Sequence, residues 1–416
     1  MNIHDTINSL KQKNLVLKDF HFNEFFFGIS LFFLPISIKV NSWCLIIFFI
    51  YNLYNRIKEK SLFCLKFFLF PIIIFIIQLV SFFLSTNHIE ASKKLLLFMV
   101  FPLLSFFFPK RDVRIEKVFR YLMFGVIIVL VYAFLRSTYD IVFLNERFDY
   151  GRGPEILLKY TPHHAYLSLF IIVSIVVLMY QIGKNQISFT NIYIIPFLFI
   201  SLFLLPSRTA LLIAFIIIPL CSFSFFKDRY KYKHIVLFLA LLFVLSVVGL
   251  SVDFTRDKLL YAYYELRNIP TTEKPFYGIS TRQKIWETGL NLVHKTPFFG
   301  YGIGDIGEVL NMEYVKRGYD DITDLNAHNQ YLQNILQYGL LFSSIIVWII
   351  FEVIRKLISH KDWFLVWIWI ITILFFGTES MLNRQWGAVY FAILLILSCY
   401  KINLKIIKRF LNSKFE

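Results

Sequence analysis

The sequence predicts an all-α, polytopic membrane protein of about twelve transmembrane helices with a large helical extracytoplasmic loop, and three observations predict it. Of 416 residues, 57% are hydrophobic and 17% charged, against roughly 45–50% and about 25% in an average soluble domain. Mean hydropathy is +0.63. A helical span takes roughly 20 residues, so about twelve spans would absorb nearly the whole apolar stock. The third observation is the placement of the basic residues, which fall mostly in alternate connections. A soluble globular enzyme is excluded, and so are disorder and collagen-like repeats, since there are only 16 Gly and 12 Pro.

The apolar runs lie at about 22–38, 40–54, 62–84, 93–108, 118–136, 163–181, 188–205, 207–226, 234–252, 328–354, 362–376 and 384–400. The first twenty residues are polar, so no cleavable signal peptide is expected and the first span would act as its own insertion signal. Cys44, Cys64, Cys221 and Cys399 lie in or beside apolar runs without a C-x-x-C pair and read as packing residues.

With a cytoplasmic N-terminus, the cytoplasmic connections receive Arg56/Lys58/Lys60, Lys110/Arg111/Arg114/Lys117, Lys227/Arg229/Lys231/Lys233, Arg355/Lys356/Lys361 and a tail with Lys401, Lys405, Lys408, Arg409 and Lys414. The net charge of +16 is then a topology signal that holds anionic lipid, and no nucleic-acid partner is expected. The opposite face receives sparse loops and the two long connections, about 137–162 and 253–327. The expected organisation is an N-terminal bundle over 1–252, an extracytoplasmic loop over 253–327, and a C-terminal bundle with basic tail over 328–416.

Connections as long as 253–327 are usually functional when they are not disordered. Ser280 and Gln283 fit a capping box that starts a helix from Thr281 to Lys295, with Ile285, Trp286, Leu290 and Val293 on one face. Thr296-Pro297 and Gly300-Tyr301-Gly302-Ile303-Gly304 read as a flexible turn. A second amphipathic stretch follows at Ile306 to Lys316, so the pair is expected to lie on the membrane as a lid, apolar faces down.

Ionisable residues beside apolar runs are functional candidates. Arg208, at the outer end of two uncharged spans, is either a snorkelling interface residue or an anion clamp, for which the guanidinium fork suits phosphate. Arg282, in the first turn of the loop helix, is disfavoured there by the helix dipole unless an anion is bound; otherwise it is a surface arginine. His328, in Asn326-Ala327-His328-Asn329-Gln330-Tyr331-Leu332-Gln333, is expected in the first helical turn with Tyr331 or Leu332 and Ile335 on its face. A neutral imidazole there suits a general base, the alternative being a hydrogen-bonded bundle histidine. Asn329 and Gln333 join it as possible substrate contacts. Glu379 and Arg384 either pair with one another or line the same cavity, and His163 and His164 open a span on the same side. P-loop, Rossmann and H-E-x-x-H patterns are absent, and Asp320, Asp321 and Asp324 are loosely spaced for a metal. The remaining chemistry is a site for a diphosphate and a hydroxyl nucleophile, with no metal and no cofactor.

Ser207-Arg208-Thr209-Ala210, then Thr281-Arg282-Gln283-Lys284-Ile285-Trp286, then Pro297-Phe298-Phe299-Gly300-Tyr301-Gly302-Ile303-Gly304-Asp305, then Ala327-His328-Asn329-Gln330-Tyr331-Leu332-Gln333 with Tyr338-Gly339-Leu340-Leu341 together resemble the O-antigen ligase and polymerase superfamily over about 180–385. The resemblance implies a bacterial inner-membrane glycosyltransferase of about twelve spans with its active site facing the periplasm. The donor would be an undecaprenyl-diphosphate-linked glycan, and the acceptor lipid A core for a ligase or another glycan repeat for a polymerase. Arg208 and Arg282 would hold the diphosphate, and His328 would deprotonate the acceptor in an inverting displacement. A lipid-linked glycan transporter is the competing class; it usually shows matching repeat halves, and the two halves here do not resemble each other.

Overall fold

The computed structural model describes residues 22–59, 69–108, 113–143, 162–187, 189–227, 232–251, 253–267, 279–296 and 298–412. Among these residues the regular elements are helices: α1 Phe22–Phe33, α2 Ile38–Glu59, α3 Leu69–Leu84, α4 His88–Phe98, α5 Val100–Phe107, α6 Ile115–Phe143, α7 His164–Gly183, α8 Ile194–Phe203, α9 Arg208–Phe226, α10 Tyr232–Leu250, α11 Asp253–Leu266, α12 Ile279–Lys295, α13 Ile306–Lys316, α14 Gln330–Ser359, α15 Trp363–Phe376 and α16 Gln385–Asn412. Helices are the favoured way to cross lipid because every backbone group is paired within its own segment. The polar first twenty residues, on which the expectation of no cleavable signal peptide rests, lie outside those described. So do most of the 137–162 connection and the residues 268–278.

By length and composition, α6, α7, α9 and residues 385–403 of α16 suffice to cross a membrane, and shorter apolar helices accompany them. The chain is therefore a multi-pass membrane protein. The sequence periodicity is uninterrupted over 93–108, yet this run is two helices bent at Met99. Pro102 supplies the reason, since it has no N–H for the Phe98 carbonyl and its ring crowds that position.

At the centre stands α7, which carries no Asp, Glu, Lys or Arg and is apolar on every side. Such a helix belongs in the interior, and α6, α8, α9 and α15 surround it. Buried polar pairs tie α15 to α16: Trp369 Nε1 donates to Ser398 Oγ at 2.9 Å, and Thr372 and Tyr390 share a 3.2 Å hydrogen bond. Such contacts act as glue where lipid removes the hydrophobic drive between helices.

α12 and α13 do form, the second with the expected bounds, but their apolar faces do not lie down on a membrane. Ile285 and Leu292 of α12 and Ile306, Leu310 and Tyr314 of α13 bury with Leu332 and Leu336 of α14 in a second, smaller core. The buried face of α12 is Ile285, Thr288, Gly289 and Leu292, whereas Leu290 points out at 56% exposure. Gly289 explains the rotation, because Leu332 packs where a Cβ would sit. The Tyr314 hydroxyl is buried there without a hydrogen-bond partner. Tyr314→Phe is therefore expected to leave the melting temperature in detergent unchanged or to raise it, by up to about 1 kcal/mol of stability; a clear fall would reveal a bond to that hydroxyl.

Two ends of the bundle differ in chemistry. α14 runs from the His328 segment to Ser359, and at that far end Lys401 lies 3.6 Å from Glu116 and 3.7 Å from Asp362, with Arg355 on Glu352 nearby in sequence. Lys401 and Arg355, two of the basic residues expected on one face, thus lie at the end of the bundle away from His328.

Candidate functional site

The site is built around the start of α14. Asn329 is its N-cap, with φ −159 and ψ 117, and its Oδ1 accepts from the N–H groups of Tyr331 (2.9 Å) and Leu332 (3.1 Å). Because Asn329 takes the cap, His328 lies before the helix and not in its first turn. Its φ of +42 is left-handed, a conformation few non-glycine residues adopt. The Asn326 side chain stabilises it by accepting from the His328 N–H at 2.9 Å. His328 thus projects from a turn, and it does not share a helical face with Ile335.

Glu379 joins the two principal candidates. Its Oε2 lies 3.2 Å from His328 Nδ1, and its Oε1 accepts from Arg282 Nη2 at 3.1 Å. The side chains of Arg282, His328 and Glu379 are 32%, 23% and 15% exposed, so the cluster is partly withdrawn from water. Burial pushes the Glu379 carboxyl up, but the His328 hydrogen bond and the Arg282 charge outweigh it and hold the group below its ordinary range. The contact therefore adds stability above the unfolded value of about 4.3 and loses it as pH falls through the lower folded value. The alternative Glu379–Arg384 pair is not made. Arg384 is exposed instead, within electrostatic reach of His163 and Tyr166.

Arg208 reaches the same region by a second carboxylate. Ser207 caps α9, its Oγ accepting from Ala210 N, and Arg208 Nη1 donates to Glu265 Oε2 at 3.3 Å. Glu265 Oε1 accepts from Ser280 Oγ, also at 3.3 Å. Ser280 therefore bonds Glu265 and does not serve as a capping box with Gln283, and α12 begins earlier, at Ile279. Since Ser280 and Arg282 share the first turn of α12, Glu265 draws Arg208 towards the helix end that carries Arg282.

His163 caps α7 by position and stacks on His164 with ring centroids 4.3 Å apart. The Nδ1 atom of His163 is buried without a hydrogen-bond partner. Burial, then the Arg384 charge, pushes the His163 pKa down against the pull of Glu379. Both histidines lie within electrostatic reach of Glu379 and His328. The structure thus groups Arg282, His328, Glu379, His163, His164 and Arg384, with Arg208 linked through Glu265.

Asn329 and Gln333 are present but occupied. Asn329 Nδ2 donates to the Gly377 carbonyl at 3.1 Å, and Gln333 Oε1 accepts from Ala327 N at 3.0 Å. Both hold the turn that presents His328. Gln330 does similar work that the sequence did not flag, its Oε1 accepting from Leu382 N at 2.7 Å and so fixing the loop that carries Glu379.

A rigid strut supports this arrangement. α14 is interrupted at Gly339, with φ 73 and ψ 176, and the Leu336 and Gln337 carbonyls there accept from Tyr301 N (2.8 Å) and Gly302 N (3.1 Å). The glycine run is therefore pinned and is not a flexible turn. Ile303 N and Gly304 N donate to Ser81 of α3 and to Ser85 just beyond its end, and the Asp305 carboxylate accepts from Thr86 N and Asn87 N, both at 2.7 Å. Gln78, one turn along α3, hydrogen-bonds the buried Tyr338 hydroxyl. Beside the break a groove of about 260 Å³ runs along α14, lined by Tyr331, Asn334, Ile335, Leu340, Ser343, Ser344 and Val347.

Residues 193–347 match the family model described as O-antigen ligase. This stretch carries Arg208, Arg282 and His328 and ends before Glu379. The chain matches no curated protein.

Proposed function

We propose that the chain, whose residues 193–347 match the O-antigen ligase family model, transfers a glycan from undecaprenyl diphosphate to a sugar hydroxyl of lipid A core. The reaction is assigned to the periplasmic face of the bacterial inner membrane, and it is inverting and metal-independent. A lipid-linked glycan is the substrate class that the family implies. The observation that carries the reading is the meeting of Arg282 and His328 on Glu379, at 3.1 and 3.2 Å, with Arg208 drawn to the same helix end.

In this reading Arg208 and Arg282 hold the donor diphosphate and take up negative charge as it leaves. His328 receives the acceptor hydroxyl proton on Nε2, the acceptor oxygen forms its bond to the anomeric carbon from the face opposite the diphosphate, and the carbon–oxygen bond to diphosphate breaks. Proton, electron pair and leaving group are all accounted for, and positioning with charge stabilisation supplies the catalysis. His163, His164 and Arg384 lie on the acceptor side of Glu379, while Asn329 and Gln333 position His328. The groove along α14, flanked by the exposed apolar Leu340, Leu341 and Val347, supports a donor whose carrier is a lipid. The proposed division keeps a bundle over 1–252, the outer loop over 253–327 and a second bundle over 328–416. A repeat-unit polymerase would use the same geometry with a different acceptor.

Arg208→Lys and Arg282→Lys keep the charge and lose the bidentate fork. Each is expected to weaken donor binding by about tenfold, close to 1.4 kcal/mol, when undecaprenyl-diphosphate-linked glycan is titrated onto the purified protein. Undiminished binding in both variants would remove the arginine clamp.

A further inference from the structure

We propose that Glu379 is a shared counter-ion through which donor binding arms the base: a diphosphate that takes over Arg282 leaves the carboxylate to His328 alone. The proposal rests on the reading given under Proposed function.

The geometry sets the roles. One carboxylate oxygen faces Arg282 and the other faces His328 Nδ1. A carboxylate accepts and does not donate when ionised, so the imidazole places its proton on Nδ1 and leaves Nε2 with the lone pair that a base requires. The fork of Arg282 is the natural ligand of a diphosphate, which brings two phosphate charges against the single charge of a carboxylate. Once Arg282 turns to that ligand, the negative charge of Glu379 is no longer divided between two partners. The imidazolium formed by proton transfer is then stabilised by an undivided carboxylate a hydrogen bond away. Before donor arrives, Glu379 spends part of its charge on Arg282, and His328 is a poorer proton acceptor.

The neighbours fit this division. Facing Glu379 and His328 are His163 and His164 at the start of α7, Arg282 from α12 and Arg384 just before α16. None of the other groups in that set is a carboxylate, so no second acid in it substitutes for Glu379. Arg208 is held in a similar way by Glu265. Glu379 is accordingly a positioning residue that acts through His328.

The test compares wild type, Glu379→Gln, Glu379→Asp and His328→Ala as full chains in proteoliposomes, with thermal melting as the check on folding. Binding is read with undecaprenyl diphosphate, which cannot transfer a glycan, and turnover with the glycan-linked donor at saturation. Glu379→Gln is expected to bind undecaprenyl diphosphate at least as tightly as wild type while kcat falls by about 100-fold. The acid limb of its rate profile moves to lower pH, and Glu379→Asp recovers kcat to within about tenfold of wild type. Unchanged kcat and pH profile in Glu379→Gln, or weakened binding with kcat intact, would overturn the proposal. If Glu379→Gln fails to fold, Glu379→Ala takes its place with the same expected binding, turnover and pH profile, and the same outcomes overturn the proposal. Retained turnover in His328→Ala would instead overturn the underlying assignment of the base.

Discussion

His328→Ala is expected to lower the rate of glycan transfer by roughly 10²–10⁴-fold, the usual contribution of a positioned general base, with expression and melting temperature close to wild type. The structural reason for normal folding is that the His328 side chain is not the cap of α14. Asn329 supplies the two capping hydrogen bonds, and the His328 main chain is held by Asn326, so removing the imidazole leaves the helix start intact. The expected chemical loss comes from the acceptor hydroxyl, which is a weak nucleophile until a neighbouring group takes its proton. The check is product formation per folded enzyme in proteoliposomes, with donor binding measured beside it. Binding should persist, because the diphosphate contacts are assigned to the arginines.

Gly339→Ala is expected to have the largest effect on folding. A φ of 73 with ψ 176 belongs to a region that only glycine occupies readily, and strain of this kind costs roughly 1–3 kcal/mol. Space adds to the cost: a Cβ at this position would lie 2.0 Å from the Phe298 carbonyl oxygen, a backbone atom that cannot swing aside. Relief would require the strut at 298–304 to withdraw from the Leu336 and Gln337 carbonyls, exposing groups that are buried and paired. Size-exclusion profile and melting temperature of the purified variant measure this. A monodisperse protein with wild-type melting would show that the interruption of α14 is dispensable.

Local patterns were legible where both helix ends carry their own chemistry. Ile306 to Lys316 was read with the observed bounds because Gly and Asp precede it and its apolar spacing is clear. Elsewhere long-range partners decided the outcome. Glu379 lies five positions from Arg384 in the sequence, yet its partners are Arg282 and His328, which only the fold brings to it. Glu265 follows Tyr263-Tyr264 with no local partner pattern to mark it, and α11 lies within the expected 253–327 loop. The break at Gly339 was invisible because the apolar periodicity continues through it, and one glycine inside a helical pattern is commonplace. The same holds for Ser81 and Ser85, whose spacing is unremarkable until the glycine strut arrives to use their hydroxyls.

The central claim is best tested by reconstituting the purified chain with an undecaprenyl-diphosphate-linked glycan and a lipid A core acceptor in the presence of a chelator, and determining the anomeric configuration of the product by NMR. The account predicts core bearing the transferred glycan with inverted configuration and an undiminished rate in chelator. Retained configuration, or transfer that stops when divalent cations are removed, would contradict it.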